Sequence, residues 1–306
     1  MKLLWLDLNS SYAHSSLALP ALHAQIADDT TIEWCIVSAT INENTGMVVS
    51  RIHKHRPDII AATNWLFNHE QLLHIISRAK ALLPHCCIVL GGPEFLGNNE
   101  AFLYKNKFVS GVFRGEGEEV FPQWLKVWNH SKETWKSITG LCYLDENGRY
   151  QDNGIARVMN FSQLVSPEKS CFFNWSKPFV QLETTRGCFN TCAFCVSGGE
   201  KPVRTIPLEA IRERLNDIHQ HGIKNVRVLD RTFNYNNKRA KELLDLFRQY
   251  PDICFHLEIH PALLSEELKQ ELSVLPKGLL HLEAGIQSLK AVSYTHLRAH
   301  ETELHL

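Results

Sequence analysis

The chain has 306 residues, of which 44% are hydrophobic and 21% charged, so it can bury sizeable cores without a disulfide framework, and its length suggests two domains. Lys and Arg number 32 against 33 Asp and Glu, giving a formal net charge of -1, which argues against the broad basic surface of a bulk nucleic-acid or anionic-membrane binder. No segment is long and apolar enough to span a bilayer, and Asp7 comes too early for a signal peptide, so the nine cysteines are expected as reduced thiols in the cytoplasm.

The first 130 residues alternate strand-like and helix-like runs. Lys2 to Leu8 reads as a strand, Leu17 to Ile26 as a helix and Ile32 to Val37 as a strand. Met47 to His55 is helical and stops before Pro57. Asp58 to Thr63 is a buried strand, Glu70 to Leu83 a helix, and Cys86 to Leu90 a strand that runs into Gly91-Gly92-Pro93. Val112-Phe113 is a short strand, and Val120 to Trp128 a helix. Continuous apolar strands separated by helices predict a parallel sheet covered on both faces, a doubly wound flavodoxin-like or Rossmann-like domain over residues 1–130. No Gly-x-Gly-x-x-Gly follows the first strand, which argues against dinucleotide binding.

Residues 131–176 are polar, with turn signals at Glu146-Asn147-Gly148 and Asp152-Asn153-Gly154, and read as a linker carrying a small hairpin. Alternation then resumes. Strands are expected at Val180 to Glu183, Val226 to Leu229, Ile253 to Glu258 and Leu279 to Ala284. Helices are expected at Pro207 to His219, Lys238 to Arg248 and Ser265 to Leu272. Units of this kind build (β/α) barrels, so 177–290 reads as a partial barrel.

Its first strand leads into Thr185-Arg186-Gly187-Cys188-Phe189-Asn190-Thr191-Cys192-Ala193-Phe194-Cys195. Thiolates at this spacing on one loop can converge on one metal centre. A structural zinc would want a fourth ligand, and no second pair at zinc-finger spacing lies nearby. A 4Fe-4S cluster can be held by three thiolates with one iron left open.

The triplet, with an aromatic residue before its last cysteine and a place after the first barrel strand, resembles the radical S-adenosylmethionine (radical SAM) superfamily. The resemblance implies Cys188, Cys192 and Cys195 as cluster ligands. It also implies S-adenosylmethionine on the open iron, a 5′-deoxyadenosyl radical as the product of its reductive cleavage, and a flavodoxin or ferredoxin as reductant. By the same resemblance Asp230 receives the ammonium of S-adenosylmethionine with help from Asn234. Glu283, before Gly285-Ile286-Gln287-Ser288, lies near the ribose, and Phe194 shields the cluster or touches the base.

A doubly wound domain ahead of such a barrel resembles the cobalamin-binding subclass. Gly91-Gly92 match that subclass's Gly-Gly where the nucleotide tail of cobalamin passes. Thr63 sits where it has a Ser or Thr, and Arg114-Gly115-Glu116-Gly117-Glu118 resembles another of its stretches. The cobalt-ligating Asp-x-His-x-x-Gly motif is missing, and His14 is the remaining candidate for an axial ligand. The subclass implies methyl transfer to an unactivated carbon, with radical cyclisation or oxidation as the enzymatic alternative. A non-catalytic cofactor-binding or sensory protein is the rival from another class. Residues 291–306, from Ala291 through Val292-Ser293-Tyr294-Thr295-His296, resemble a translated sequencing adapter, and only four of about six barrel strands are visible. The expectation is therefore a C-terminally truncated barrel with a non-native tail.

Overall fold

A computed structural model describes residues 1–13, 16–192, 195, 197 and 200–285. It divides into two compact units, Met1–Phe173 and Asn174–Leu306.

In the first unit the elements are β1 (Lys2–Asn9), α1 (Ala18–Ala24), β2 (Glu33–Thr40), α2 (Thr45–His55), β3 (Ile59–Thr63), α3 (His69–Leu82), β4 (Cys87–Gly91), α4 (Glu100–Lys105), β5 (Gly111–Phe113), α5 (Val120–Leu125), β6 (Leu141–Leu144) and β7 (Tyr150–Asp152). They form one sheet in the order β2-β1-β3-β4-β5-β6-β7. The first five strands are parallel. Their 2-1-3-4-5 order is the flavodoxin-like one, which places a ligand crevice beyond the carboxyl ends of β1 and β3.

Side chains alternate between two cores. Leu4, Leu6, Ile60, Ala62, Ile88 and Leu90 are buried with Val48 and Ile52 of α2 and Leu72 and Ile76 of α3. Leu3, Trp5, Ile59, Ala61 and Val89 are buried with Leu19 of α1 and Phe121 and Trp124 of α5. Because both faces are covered, β1 runs Leu3-Leu4-Trp5-Leu6 without a polar residue. Each large side chain so buried contributes about 1.5–3 kcal/mol. Local signals agree with these packing demands. The Asn44 side chain caps α2 by accepting from Met47 N (3.2 Å), and the helix ends at Arg56 in the left-handed region, before Pro57.

Residues 131–173, expected as part of a linker, belong to this first unit. β6 pairs antiparallel with β5, and β7 with β6. The reason lies in aromatic packing that a polar average conceals. Trp135 and Tyr143 are buried, and edge-on ring contacts link Phe113 to Trp124 (5.8 Å), Trp124 to Trp135 (5.7 Å) and Trp135 to Tyr143 (5.4 Å). The polar residues of the segment serve its turns, including Gly148 at φ 74°.

The second unit contains β8 (Val180–Leu182), β9 (Thr185–Arg186), β10 (Arg204–Thr205), α6 (Leu208–Gln220), β11 (Asn225–Val228), α7 (Asn237–Phe247), β12 (Cys254–Ile259), α8 (Glu266–Ser273) and β13 (Leu280–Ala284). β8, β11, β12 and β13 pair in parallel, each beside the next, as in the wall of a (β/α) barrel. One face is apolar and buried: Val180, Leu182, Val226, Val228, Phe255 and Leu257. Phe255 stacks on Phe247 of α7, 4.1 Å between ring centres. The alternate positions, Arg227, His256, Glu258, His281 and Glu283, are charged or polar and half-buried or exposed. β9 and β10 form a separate antiparallel ladder. Among the described residues, no helix is long and apolar enough to cross a membrane.

Candidate active site

The cysteine loop begins where β8 ends. β9 pairs with β10 in the register Arg186 with Arg204 and Thr185 with Thr205. Ile206 N donates to Thr184 O (2.9 Å), and Cys188 N to Glu200 O (3.2 Å). The two ends of the loop are therefore hydrogen-bonded neighbours. Gly187 makes this neck possible. Its φ is 92°, and a Cβ there would lie 2.4 Å from Glu200 O. Arg186 donates from Nε (3.2 Å) and Nη2 (2.7 Å) to Glu183 Oε2, and Arg214, buried on α6, donates to Glu183 O (3.4 Å).

Within the loop, Cys195 N donates to Cys192 O (3.1 Å), a turn that brings the last two cysteines close in the chain's path. None of the nine cysteines is in a disulfide. Among the described residues, no group of three His, Cys, Asp or Glu side chains is gathered closely enough to hold a metal ion as it stands. The donor set nonetheless fits an iron–sulfur cluster: three thiols on one closed loop at the carboxyl end of a parallel sheet. Phe194 lies outside the described residues.

Asp230 and Asn234, expected to contact S-adenosylmethionine, have other partners. Asp230 follows β11 and is 1% exposed. Its Oδ1 accepts from Thr184 N (2.8 Å) and Thr185 N (2.9 Å), and its Oδ2 accepts from Thr184 Oγ1. Burial pushes its carboxyl above the usual carboxylate range, and the Thr184 and Thr185 donors oppose that shift. Asn234 is equally buried. It donates to His260 O (2.9 Å) and accepts from His260 N (2.8 Å). Both side chains are thus staples from the β11 end to its neighbours, Asp230 to the β8 end and Asn234 to the β12 end. Short polar side chains after a strand fit either role, and only the long-range partner decides.

Glu283 stays open. It lies on the polar face of β13, with its side chain 2.8 Å from His256 Nε2 and 3.6 Å from Arg227 Nη2. Arg227 also pairs with Glu258 (3.4 Å).

In the first unit, Thr63 ends β3 and Gly91 ends β4, side by side in register. Gly92 has φ 113°, and a Cβ there would lie 2.5 Å from Asn64 O, so the close approach of the two strand ends itself demands glycine. Gly91 differs, because a Cβ there would meet only Phe113, at 3.9 Å. Asn64 is fully buried, and its Oδ1 has no hydrogen-bond partner among the described residues. An orphaned acceptor at the carboxyl end of a sheet suits a polar ligand group. Beside it, Leu66 is 82% exposed, and Trp65 and Phe67 stack at 6.3 Å. Sequence reasoning passed over Asn64-Trp65-Leu66-Phe67, although an apolar run in a polar loop after a buried strand is a visible signal. These features fit a large, flat cofactor with a polar tail. His14 lies outside the described residues.

The radical SAM superfamily model matches residues 182–302, and the B12 binding domain model matches residues 8–125. The second unit thus carries a radical SAM superfamily match and the first a B12 binding domain match. The second unit is a domain for a 4Fe-4S cluster and S-adenosylmethionine, and the first a domain for cobalamin. An uncharacterized methyltransferase of Pyrococcus horikoshii is 29% identical over 201 residues, covering 63% of this chain and 43% of the relative. Hopanoid C-3 methylase of Methylococcus capsulatus is 26% identical over 180 residues, covering 55% of this chain and 34% of the relative. The chain thus spans less than half the length of these curated relatives. The fold is shared with the radical S-adenosylmethionine methyltransferase TsrM of Kitasatospora setae, solved with cobalamin and a [4Fe-4S] cluster. That match has a TM-score of 0.73 at 16% identity and covers 94% of this chain and 61% of TsrM.

Proposed function

We propose that the protein is a cobalamin-dependent radical SAM methyltransferase acting on an unactivated carbon. The observation that carries this reading is the closed cysteine loop at the end of a parallel strand, in the same chain as a 2-1-3-4-5 sheet with an orphaned acceptor at its carboxyl edge. The cluster, when bound, supplies the electron that cleaves S-adenosylmethionine, and cobalamin supplies the methyl group.

The chain's own residues bind and orient. Cys188, Cys192 and Cys195 would hold the iron, and Phe194 would shield the cluster or touch the base. Glu283, on the open polar face of β13, contacts the S-adenosylmethionine ribose. Thr63, Gly91, Gly92 and Asn64 would receive the cobalamin tail, and Trp65 and Leu66 would offer apolar surface to the ring. The reductant is a flavodoxin or ferredoxin, and nine cysteines without a disulfide suit a reducing cytoplasm.

The test uses the anaerobically purified chain, reconstituted with iron, sulfide and hydroxocobalamin, reduced, and given S-adenosylmethionine carrying a deuterated methyl group. The expected products are 5′-deoxyadenosine and S-adenosylhomocysteine together. 5′-Deoxyadenosine alone would favour cyclisation or oxidation. A chain that holds both cofactors and never cleaves S-adenosylmethionine would instead be a cofactor-binding or sensory protein.

A further inference from the structure

The geometry points to Asp230 as a positioning residue for the cluster loop, acting through Thr184 and Thr185 rather than by touching S-adenosylmethionine. The inference rests on the reading of that loop as a cluster site.

Every hydrogen bond to Asp230 noted above comes from the two residues that lead into the loop. Thr184 N, Thr184 Oγ1 and Thr185 N all point at one buried carboxylate. Thr184 also accepts from Ile206 N on the returning strand, so one residue is held from both sides. Three residues further on, Gly187 turns so close to Glu200 O that it has no room for a Cβ, and Cys188 donates to that same carbonyl. The direction in which the chain leaves β8, and with it the placement of Cys188, therefore depends on a carboxylate 46 residues away.

The chemistry favours this role over an ammonium contact. Both carboxylate oxygens are engaged by donors, and the group is 1% exposed. A charge-assisted bond to a backbone N–H is stronger than a neutral one, and two such bonds to a single oxygen fix a peptide plane in direction as well as distance. The loop carries three glycines, Gly187, Gly198 and Gly199, and therefore brings little stiffness of its own. The rigidity has to come from beneath.

The experiment compares the reconstituted full chain with Asp230→Asn, Thr184→Val and Thr184→Ser. Asp230→Asn keeps the shape but turns part of the acceptor into a donor facing donors. Thr184→Val removes only the hydroxyl donor, and Thr184→Ser restores it. Iron per chain, the rate of iron loss to a chelator, the EPR spectrum of the reduced cluster and the dissociation constant for S-adenosylmethionine are measured, with circular dichroism as the control for folding. Asp230→Asn and Thr184→Val should lose iron roughly tenfold faster and shift the EPR signal, as expected for removal of a bond to a buried charge. Thr184→Ser should match the parent, and cluster-loaded chains should keep the parent's affinity for S-adenosylmethionine. If Asp230→Asn retains iron and its EPR signal but binds S-adenosylmethionine poorly, Asp230 is a ligand contact and the inference is overturned. Parent-like behaviour of both Asp230→Asn and Thr184→Val would overturn it as well. Should Asp230→Asn fail to fold, the Thr184 pair decides alone. A parent chain that takes up no iron is a different result, since it would sink the cluster reading itself.

Discussion

Asn234 and His260 exchange two hydrogen bonds, side chain to backbone, across 26 residues of sequence. Both are buried, so neither backbone group has water to fall back on. Asn234→Ala takes the Asn234 acceptor from His260 N–H, while His260 O keeps Leu263 N (3.1 Å), and should cost about 1–3 kcal/mol. The measurement is thermal unfolding of the chain. A melting curve unchanged by the substitution would mean that the pair contributes nothing.

Gly91 and Gly92 are neighbours with opposite expectations. Gly92→Ala should destabilise the fold by about 1–3 kcal/mol or more, since its φ of 113° and ψ of 176° suit only glycine and the new Cβ would strike Asn64 O. Gly91→Ala should leave the melting temperature nearly unchanged, because its Cβ meets ordinary contact distance. It should still weaken cobalamin retention if the tail passes there. Melting curves and cobalamin absorbance after gel filtration separate the two.

Leu66 is almost fully exposed in the loop after β3. Leu66→Ser removes apolar surface that the fold does not use, so the stability change should be within about 0.5 kcal/mol. If the corrin ring rests on this loop, the affinity for hydroxocobalamin should fall about tenfold, in line with the loss of one buried apolar side chain. Equilibrium titration followed by absorbance checks both the sign and the size.

Each of Cys188→Ala, Cys192→Ala and Cys195→Ala should reduce iron from about four per chain to little or none. Cys254→Ala, on β12, should leave iron content unchanged. Iron and sulfide analysis after reconstitution is sufficient. Equal loss in all four variants would point to non-specific thiol binding.

His23 supplies the pH dependence. It is buried on α1, with Nδ1 2.9 Å from Ser170 Oγ and its ring edge-on to Trp34 and Phe172. Burial lowers its pKa below the ordinary 6.5. The unfolded chain therefore takes up a proton first as the pH falls. The stability from neutral His23 is complete above 6.5 and declines as the pH drops from 6.5 toward the lowered value. The slope from this one group cannot exceed about 1.4 kcal/mol per pH unit. Melting curves at pH 7.5 and 5.5 should diverge more for the parent than for His23→Phe.

The features written in short-range pattern were legible in the sequence. Leu3-Leu4-Trp5-Leu6, bounded by Asn9, reads as a strand buried on both faces, and the spacing of Cys188, Cys192 and Cys195 fits a shared metal centre. What escaped was set by partners far along the chain. The two-residue β9–β10 ladder carries no periodicity, because closure of the cysteine loop creates it. Asp230 and Asn234 read as S-adenosylmethionine contacts until Thr184 and His260 are seen beside them. Trp135 and Tyr143 sit in a polar stretch, and only Trp124 and Phe113 reveal why that stretch joins the sheet.

The β9–β10 neck has a further consequence for the metal's comings and goings. Closing a loop costs entropy, and the β9–β10 ladder and Gly187 carry part of that cost in place of the metal. The cysteines are confined to a small volume at a high effective concentration, so an iron atom that leaves one sulfur remains within reach of the others. Chelation should therefore strip the loop while the sheet stays folded, and the stripped chain should refill without first unfolding.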